Sequence, residues 1–190
     1  MQQQESNLLD DASVYGWISI LLHWVTAIAI IALWFLGKSI FASSTLEIDA
    51  QRSLHVSIAA SVWLIVLARI IWRVRSGHPH VRGQTLLIHR IAKAAHYAML
   101  IALLLMLVSG PVMVWAGGYP VGVFSLFAIP GPIPESESLR NLAWFVHSNS
   151  ALLLLILVIL HIGGALKHLM FHTDDTFARM IWPGKRENKE

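Results

Sequence analysis

His147 and His161 lie fourteen residues apart within one apolar stretch, Leu142–Leu169, of a chain that has no cysteine. On a helix that spacing is about 21 Å of rise and four turns less about 40°, so both imidazoles return to nearly one face. An ionisable side chain inside an apolar span is expensive to keep and marks function by default. Two neutral imidazoles on one face, one towards each end of a span, have the chemistry of axial ligands for two stacked haem irons. The absence of cysteine excludes disulfides, Fe–S clusters, thiolate ligands and thioether-attached haem.

The remaining histidines complete two pairs. His23 stands about six residues into the first apolar stretch, at the depth of His161, and His55 opens the second stretch at the depth of His147. A b-type haem held between facing helices takes one imidazole on each side of the iron, which leaves no open position for a substrate and favours electron transfer. His96, at the start of the third stretch, shares the depth of His23 and His161 and is an alternative to either. His161 is preferred because a single fourth helix then serves both irons. A solitary interfacial histidine is ordinarily no more than a polar anchor, and His55 and His147 taken singly would be that; depth-matched pairing of four raises them above it. The competing metal is zinc, for which His168 and His172 at i and i+4 have ready spacing but no third ligand nearby in sequence. His78-Pro79-His80 reads as loop. Ala27, Ala59, Ala60, Ala151, Gly163, Gly164 and Ala165 are small enough to let helices and a flat macrocycle approach closely.

The elements that must position these residues are membrane helices. The 190 residues are 56% hydrophobic and 13% charged, too apolar for an ordinary soluble domain. Four stretches can cross about 30 Å of hydrocarbon: Trp17–Gly37, Leu54–Trp72, Ala92–Trp115 and Leu142–Leu169. The first is no signal peptide, because Glu5, Asp10 and Asp11 precede it and its apolar run is too long. Trp17, Trp34, Trp72, Trp115 and Trp144 fall near span ends as an aromatic belt. Pro111, with Gly110 beside it, is expected to kink or end the third helix, and Gly117–Gly118 to finish it. Eleven Lys and Arg residues flank the side that carries both termini, and only Lys38, Arg52 and Arg140 the other. That asymmetry places both termini in the cytoplasm of a bacterial inner membrane and accounts for the net charge of +3 without nucleic acid as a partner. The loop 117–140 carries the apolar run Val121, Val123, Phe124, Leu126, Phe127 and Ile129 and is expected to fold back on the bundle rim. The reading is an all-α four-helix membrane bundle at 17–180, between a cytoplasmic segment at 1–16 and a tail at 181–190. The first dozen residues and those after Pro183 are expected to lack order.

This pattern resembles the prokaryotic cytochrome b561 family. The likeness runs from Tyr15 to Met180 and rests on His23-Trp24, His55-Val56-Ser57, the fourth-helix histidines, Arg69 and Arg73 closing the second helix, Lys167-His168, Asp174-Asp175-Thr176 and Arg179-Met180. The resemblance implies two haem b groups, with His23 and His161 on the cytoplasmic-side iron and His55 and His147 on the periplasmic-side iron. The b-type subunits of nickel–iron hydrogenase and formate dehydrogenase look like relatives.

Two stacked haems make a wire across the bilayer, and the chain has no flavin or nucleotide motif to feed it. The expected partners, besides membrane lipid, are a periplasmic donor and a quinone, ubiquinone or menaquinone. His96, His168 and His172 are candidate proton relays, and Lys167, Arg69 and Arg73 candidates for stabilising negative charge on the quinone. The competing reading of these three cations is snorkelling to headgroups. Some members of the family resemble a superoxide oxidase, which calls for a basic periplasmic face. Here three cations oppose Glu47, Asp49, Glu135 and Glu137, although Arg52 and Arg140 are candidates for a local docking patch. Electron transfer from a periplasmic partner therefore ranks ahead of superoxide oxidation, and a non-haem membrane adaptor ranks last.

Overall fold

The computed structural model describes residues 8–10, 14–44, 47–77, 86–171 and 178–183. His78, His80, His172 and most of both terminal segments lie outside the described residues, as do the side chains of His168 and Leu169. Four helices form: α1 Trp17–Ala42, α2 Ile48–Ser76, α3 Leu86–Ala116 and α4 Glu137–Phe171. Each contains a window apolar and long enough to cross a membrane. In hydrocarbon the backbone must satisfy its own hydrogen bonds, so an apolar run of this length is helical throughout. The helices outrun the apolar stretches at their polar ends. Asp49 and Glu137 stand in the first turns of α2 and α4, and Arg73 and Arg75 in the last turn of α2, each sign matching the helix dipole.

Pro111 does not end α3, which continues to Ala116. A helical proline leaves the carbonyl four residues earlier without its donor. Here that carbonyl belongs to Leu107, and the Trp63 indole of α2 donates to it at 2.9 Å. The unmet acceptor becomes an interhelical bond. The helix stops where Gly118 takes a φ of +80°, with the Tyr119 amide bonded back to Val114 O at 3.2 Å.

The chain packs as two antiparallel hairpins, α1 on α2 and α3 on α4, which meet chiefly through α2 and α3. Their shared core is Val66 and Ile70 of α2, Leu100, Ala102 and Leu103 of α3, and Leu154 of α4. The loop after α3 does fold back, and it holds a structure its sequence did not announce. Strands β1 Val121–Val123 and β2 Phe127–Ile129 pair antiparallel, Val121 opposite Ile129. The turn carries positive φ at Phe124 (46°) and Ser125 (59°), although neither is glycine or asparagine. Ser57 of α2 pins it by accepting from the Phe124 amide at 2.9 Å. At the opposite end the 3₁₀ turn Ala178–Met180 docks beside α1. Trp24 Nε1 donates to Met180 O at 2.6 Å, and the Trp17 and Trp182 rings meet edge-on at 5.2 Å. The start of α1 and the segment after α4 thus share one end of the bundle, called here the terminal end; the β-hairpin marks the other.

Candidate functional site

The histidines gather in two places. Two imidazoles facing across one metal, with bonds of about 2.0–2.1 Å and ring nitrogens about 1.1 Å from the ring centre, have centroids roughly 6.3 Å apart. His55 of α2 and His147 of α4 are 6.5 Å apart, and His23 of α1 and His161 of α4 are 6.2 Å apart. His96 of α3 lies 5.1 Å from His161 with its ring nearly perpendicular, too close for an iron between them. Each well-spaced pair joins one helical hairpin to the other. Among the described residues, no three His, Asp or Glu side chains converge as metal ligands, so the geometry is that of two-imidazole sites.

Glycines shape the β-hairpin-end pair. A Cβ on Gly37 of α1 would stand 3.5 Å from His55 Cε1, and one on Gly110 of α3 would stand 3.5 Å from His147 Cε1. Each ring edge therefore faces the neighbouring helix with no side chain between, across a gap that a methyl group would fill at ordinary contact distance. Ser109 Oγ lies 3.2 Å from His147 Nδ1, where a hydroxyl can accept the ring proton and hold the other nitrogen towards a metal. His55 Nδ1 is buried with no hydrogen-bond partner. Gly37 and Gly110 were missed as site residues, because one reads as a span end and the other as a proline neighbour. A Cβ on Gly163 or Gly164 would meet nothing within 4 Å, so neither marks a close approach of helices.

The terminal-end pair sits in a more polar setting. Arg69 Nη2 donates to His23 Nδ1 at 3.2 Å, and His23 packs edge-on against Trp24. His96 Nδ1 lies 2.7 Å from Ala92 O, one turn back on its own helix, and so carries its proton on Nδ1. Arg73 does not snorkel. It is 3% exposed, donates to Ser19 Oγ (3.4 Å) and to Gly77 O, and lies 3.7 Å from the Asp10 carboxylate. Asp10 also accepts from the Gly16 amide at 2.8 Å and from Ser19 Oγ at 2.6 Å. This corrects the expectation that the whole N-terminal dozen lacks order: a buried cation on α2 recruits a carboxylate from before α1. Tyr15 lies under the Arg73 guanidinium, 4.8 Å from it to the ring centre. Burial pushes the Tyr15 phenol above its usual value of 10.0, against the pull of Arg73.

The other candidates are dispersed. Lys167 is exposed, six residues beyond His161. Arg52 is bound to Asp49 at 2.8 Å in an exposed pair. Arg140 lines a small polar recess with Ala116, Gly117, Glu135 and Glu137. Each cation proposed for a docking patch thus has a carboxylate neighbour.

The two paired-imidazole sites and the side-chain-free approach of Gly37 and Gly110 fit b-type haem. Comparison with known proteins agrees. A family model described as prokaryotic cytochrome b561 matches residues 14–183. The protein called cytochrome b561 homolog 2 of Escherichia coli (strain K12) is 29% identical over 170 residues, which is 88% of this chain and 90% of that protein.

Proposed function

Because the chain belongs to the prokaryotic cytochrome b561 family, a multi-pass bacterial membrane b-type cytochrome whose work is electron transfer, we propose that it holds two haems and passes electrons between a periplasmic donor and the quinone pool. The observation that carries this reading is the spacing of the two histidine pairs, 6.2 and 6.5 Å, at two levels of α4. His23 and His161 would hold one haem at the terminal end, and His55 and His147 the other near the β-hairpin. Bound there, the haem would supply reversible one-electron chemistry. The protein's own part would be to hold each group by an imidazole from either side, leaving no position open to a substrate. The fourteen-residue interval on α4 sets the two centres about 21 Å apart along the helix. Gly37 and Gly110 keep side chains clear of the hairpin-end imidazoles, and Ser109 orients the His147 ring.

The Lys and Arg distribution supports a cytoplasmic terminal end, with residues 17–180 as the membrane domain and 1–16 and 181–190 as cytoplasmic segments. Quinone then reacts at that end. His96 and Lys167 are the described residues we assign to it, with His168 beside them in sequence. Superoxide as donor is the second candidate. Because Arg52 is held by Asp49 and Arg140 shares a recess with Glu135 and Glu137, both candidate docking cations are offset by carboxylates, which weakens the field that would steer an anion, and a redox protein is favoured.

Purified protein should show a b-type reduced spectrum with two haems per chain. Mixing it with superoxide, with quinol and with periplasmic extract decides the donor. Reduction by superoxide at near diffusion-limited rates would replace the carrier reading with an oxidase, and a single haem per chain would end the two-site assignment.

A further inference from the structure

We propose that Arg69 is the binding partner of a haem propionate at the terminal-end site; the inference rests on His23 and His161 being the axial ligands there. Arg69 and Arg73 stand one turn apart on α2, and both turn into the protein. Arg73 is satisfied by a carboxylate, a hydroxyl, a carbonyl and the face of Tyr15. Arg69 is not. Among the described residues its Nη2 meets a neutral ring nitrogen, His23 Nδ1, and its Nη1 is buried with no hydrogen-bond partner. No ion pair joins Arg69 to a carboxylate among the described residues, and a part-buried guanidinium with an unused donor is costly.

The contact with His23 is also incompatible with metal binding. Arginine has donors and no acceptor, so His23 Nδ1 must accept, and a neutral ring then carries its proton on Nε2. A neutral ring that ligates iron through Nε2 keeps that proton on Nδ1 and has nothing to offer Arg69. Seating the metal therefore frees the Arg69 fork, which now needs an acceptor for two nitrogens, best an anion. A b-type haem brings two carboxylates of its own on one edge, and guanidinium binds carboxylate through two parallel bonds. Arg69 thus selects the edge of the porphyrin that faces α2, and does so only at this site. His55 and His147 have no arginine hydrogen-bonded to either ring among the described residues.

The test uses the full chain in detergent, loaded either with haem b or with its dimethyl ester, whose carboxylates can no longer carry charge. Haem loss to a haem-scavenging apoprotein is followed for each site. In the wild type one site should release the ester about tenfold faster than haem b, the scale of a charge-assisted hydrogen bond, while the other site makes little distinction. Arg69→Gln should bring that ratio to about one, because the ester leaves no buried cation unpaired in the variant. Arg69→Lys, which keeps the charge, should preserve most of the preference. An unchanged ratio in Arg69→Gln overturns the proposal. So does a wild-type ratio near one with haem retention that instead follows the concentration of a small anion, which would make Arg69 a solute-anion site. His23→Ala separates the two levels of inference. Retention of both haems in that variant refutes the axial assignment itself, whereas loss of one leaves Arg69 to be judged on the ester ratio alone.

Discussion

Whether two histidines can share an iron depends on where one ring stands relative to the other, and the difference between 6.2 and 5.1 Å decides it. At 5.1 Å from His161, His96 is too close to that ring to share an iron with it, and in the proposed reading it stands beside the terminal-end pair as a neighbour. His147→Ala should therefore lose one haem and keep the other, and His161→Ala should do the same at the opposite site. His96→Ala should retain both while changing quinone reduction. Pyridine haemochrome quantitation against protein concentration measures all three, and loss of a haem from His96→Ala would return His96 to the ligand set. The glycine cradles make a second prediction. Alanine at Gly110 adds a Cβ at ordinary contact distance from His147 Cε1, 3.5 Å, and should be tolerated. Leucine there must occupy the space of the ring itself, so Gly110→Leu should lose the same haem as His147→Ala. Equal loading of the leucine variant would show that the ring can move without cost.

Among the elements, α3 shows how a helix survives its own proline. The Leu107 carbonyl that Pro111 cannot serve is bonded to Trp63 from the next helix. Trp63→Phe keeps most of the ring and removes the donor, leaving a buried acceptor unmet at a cost of about 1–3 kcal/mol. In Pro111→Ala the helix amide can take the bond, so the same tryptophan change should cost less. Thermal denaturation of the four combinations measures the coupling, and additive effects would mean that the two residues act separately. The β-hairpin was not legible beyond its tendency to fold back. Its turn has no Asn-Gly or Gly signal, and its strands are only three residues each. It exists because Ser57 of α2, distant in sequence, holds the Phe124 amide.

At the scale of the whole molecule, two helical hairpins are bridged by two histidine pairs, and a short segment before α1 is locked to the end of α2. Breaking that lock should be costly. Arg73 and Asp10 are each 4% exposed at the side chain, and removing one partner of a buried pair costs about 3–5 kcal/mol, so Asp10→Ala should lower the midpoint of thermal unfolding. Full stability in the variant would mean that water or another anion replaces the carboxylate. The same cluster sets an alkaline limit. The folded state holds the Tyr15 proton above the phenol's ordinary value, so it binds more protons than the unfolded chain once pH passes about 10. Stability contributed by the neutral phenol is complete below that pH and falls above it. Tyr15→Phe should flatten this alkaline loss, and an unaltered pH profile in denaturant titration would assign the loss to other groups.

The membrane class, the number of helices and the gathering of the histidines at two levels were legible from sequence, because each depends on quantities that composition and spacing carry. Apolar length fixes what can cross a bilayer, and 1.5 Å of rise per residue fixes the depth of each imidazole. Depth alone left His96 open, since three histidines lie at one level; only the lateral packing of α1, α3 and α4 separates 6.2 from 5.1 Å. Tertiary structure likewise decided which small residues face a ring, which donor fills a proline's gap, and that Arg73 meets a carboxylate while Arg69, among the described residues, meets a ring nitrogen. Those outcomes depend on contacts between residues far apart in the chain, such as Arg69 with His23, and a local pattern has no record of which helix face will be turned towards which neighbour.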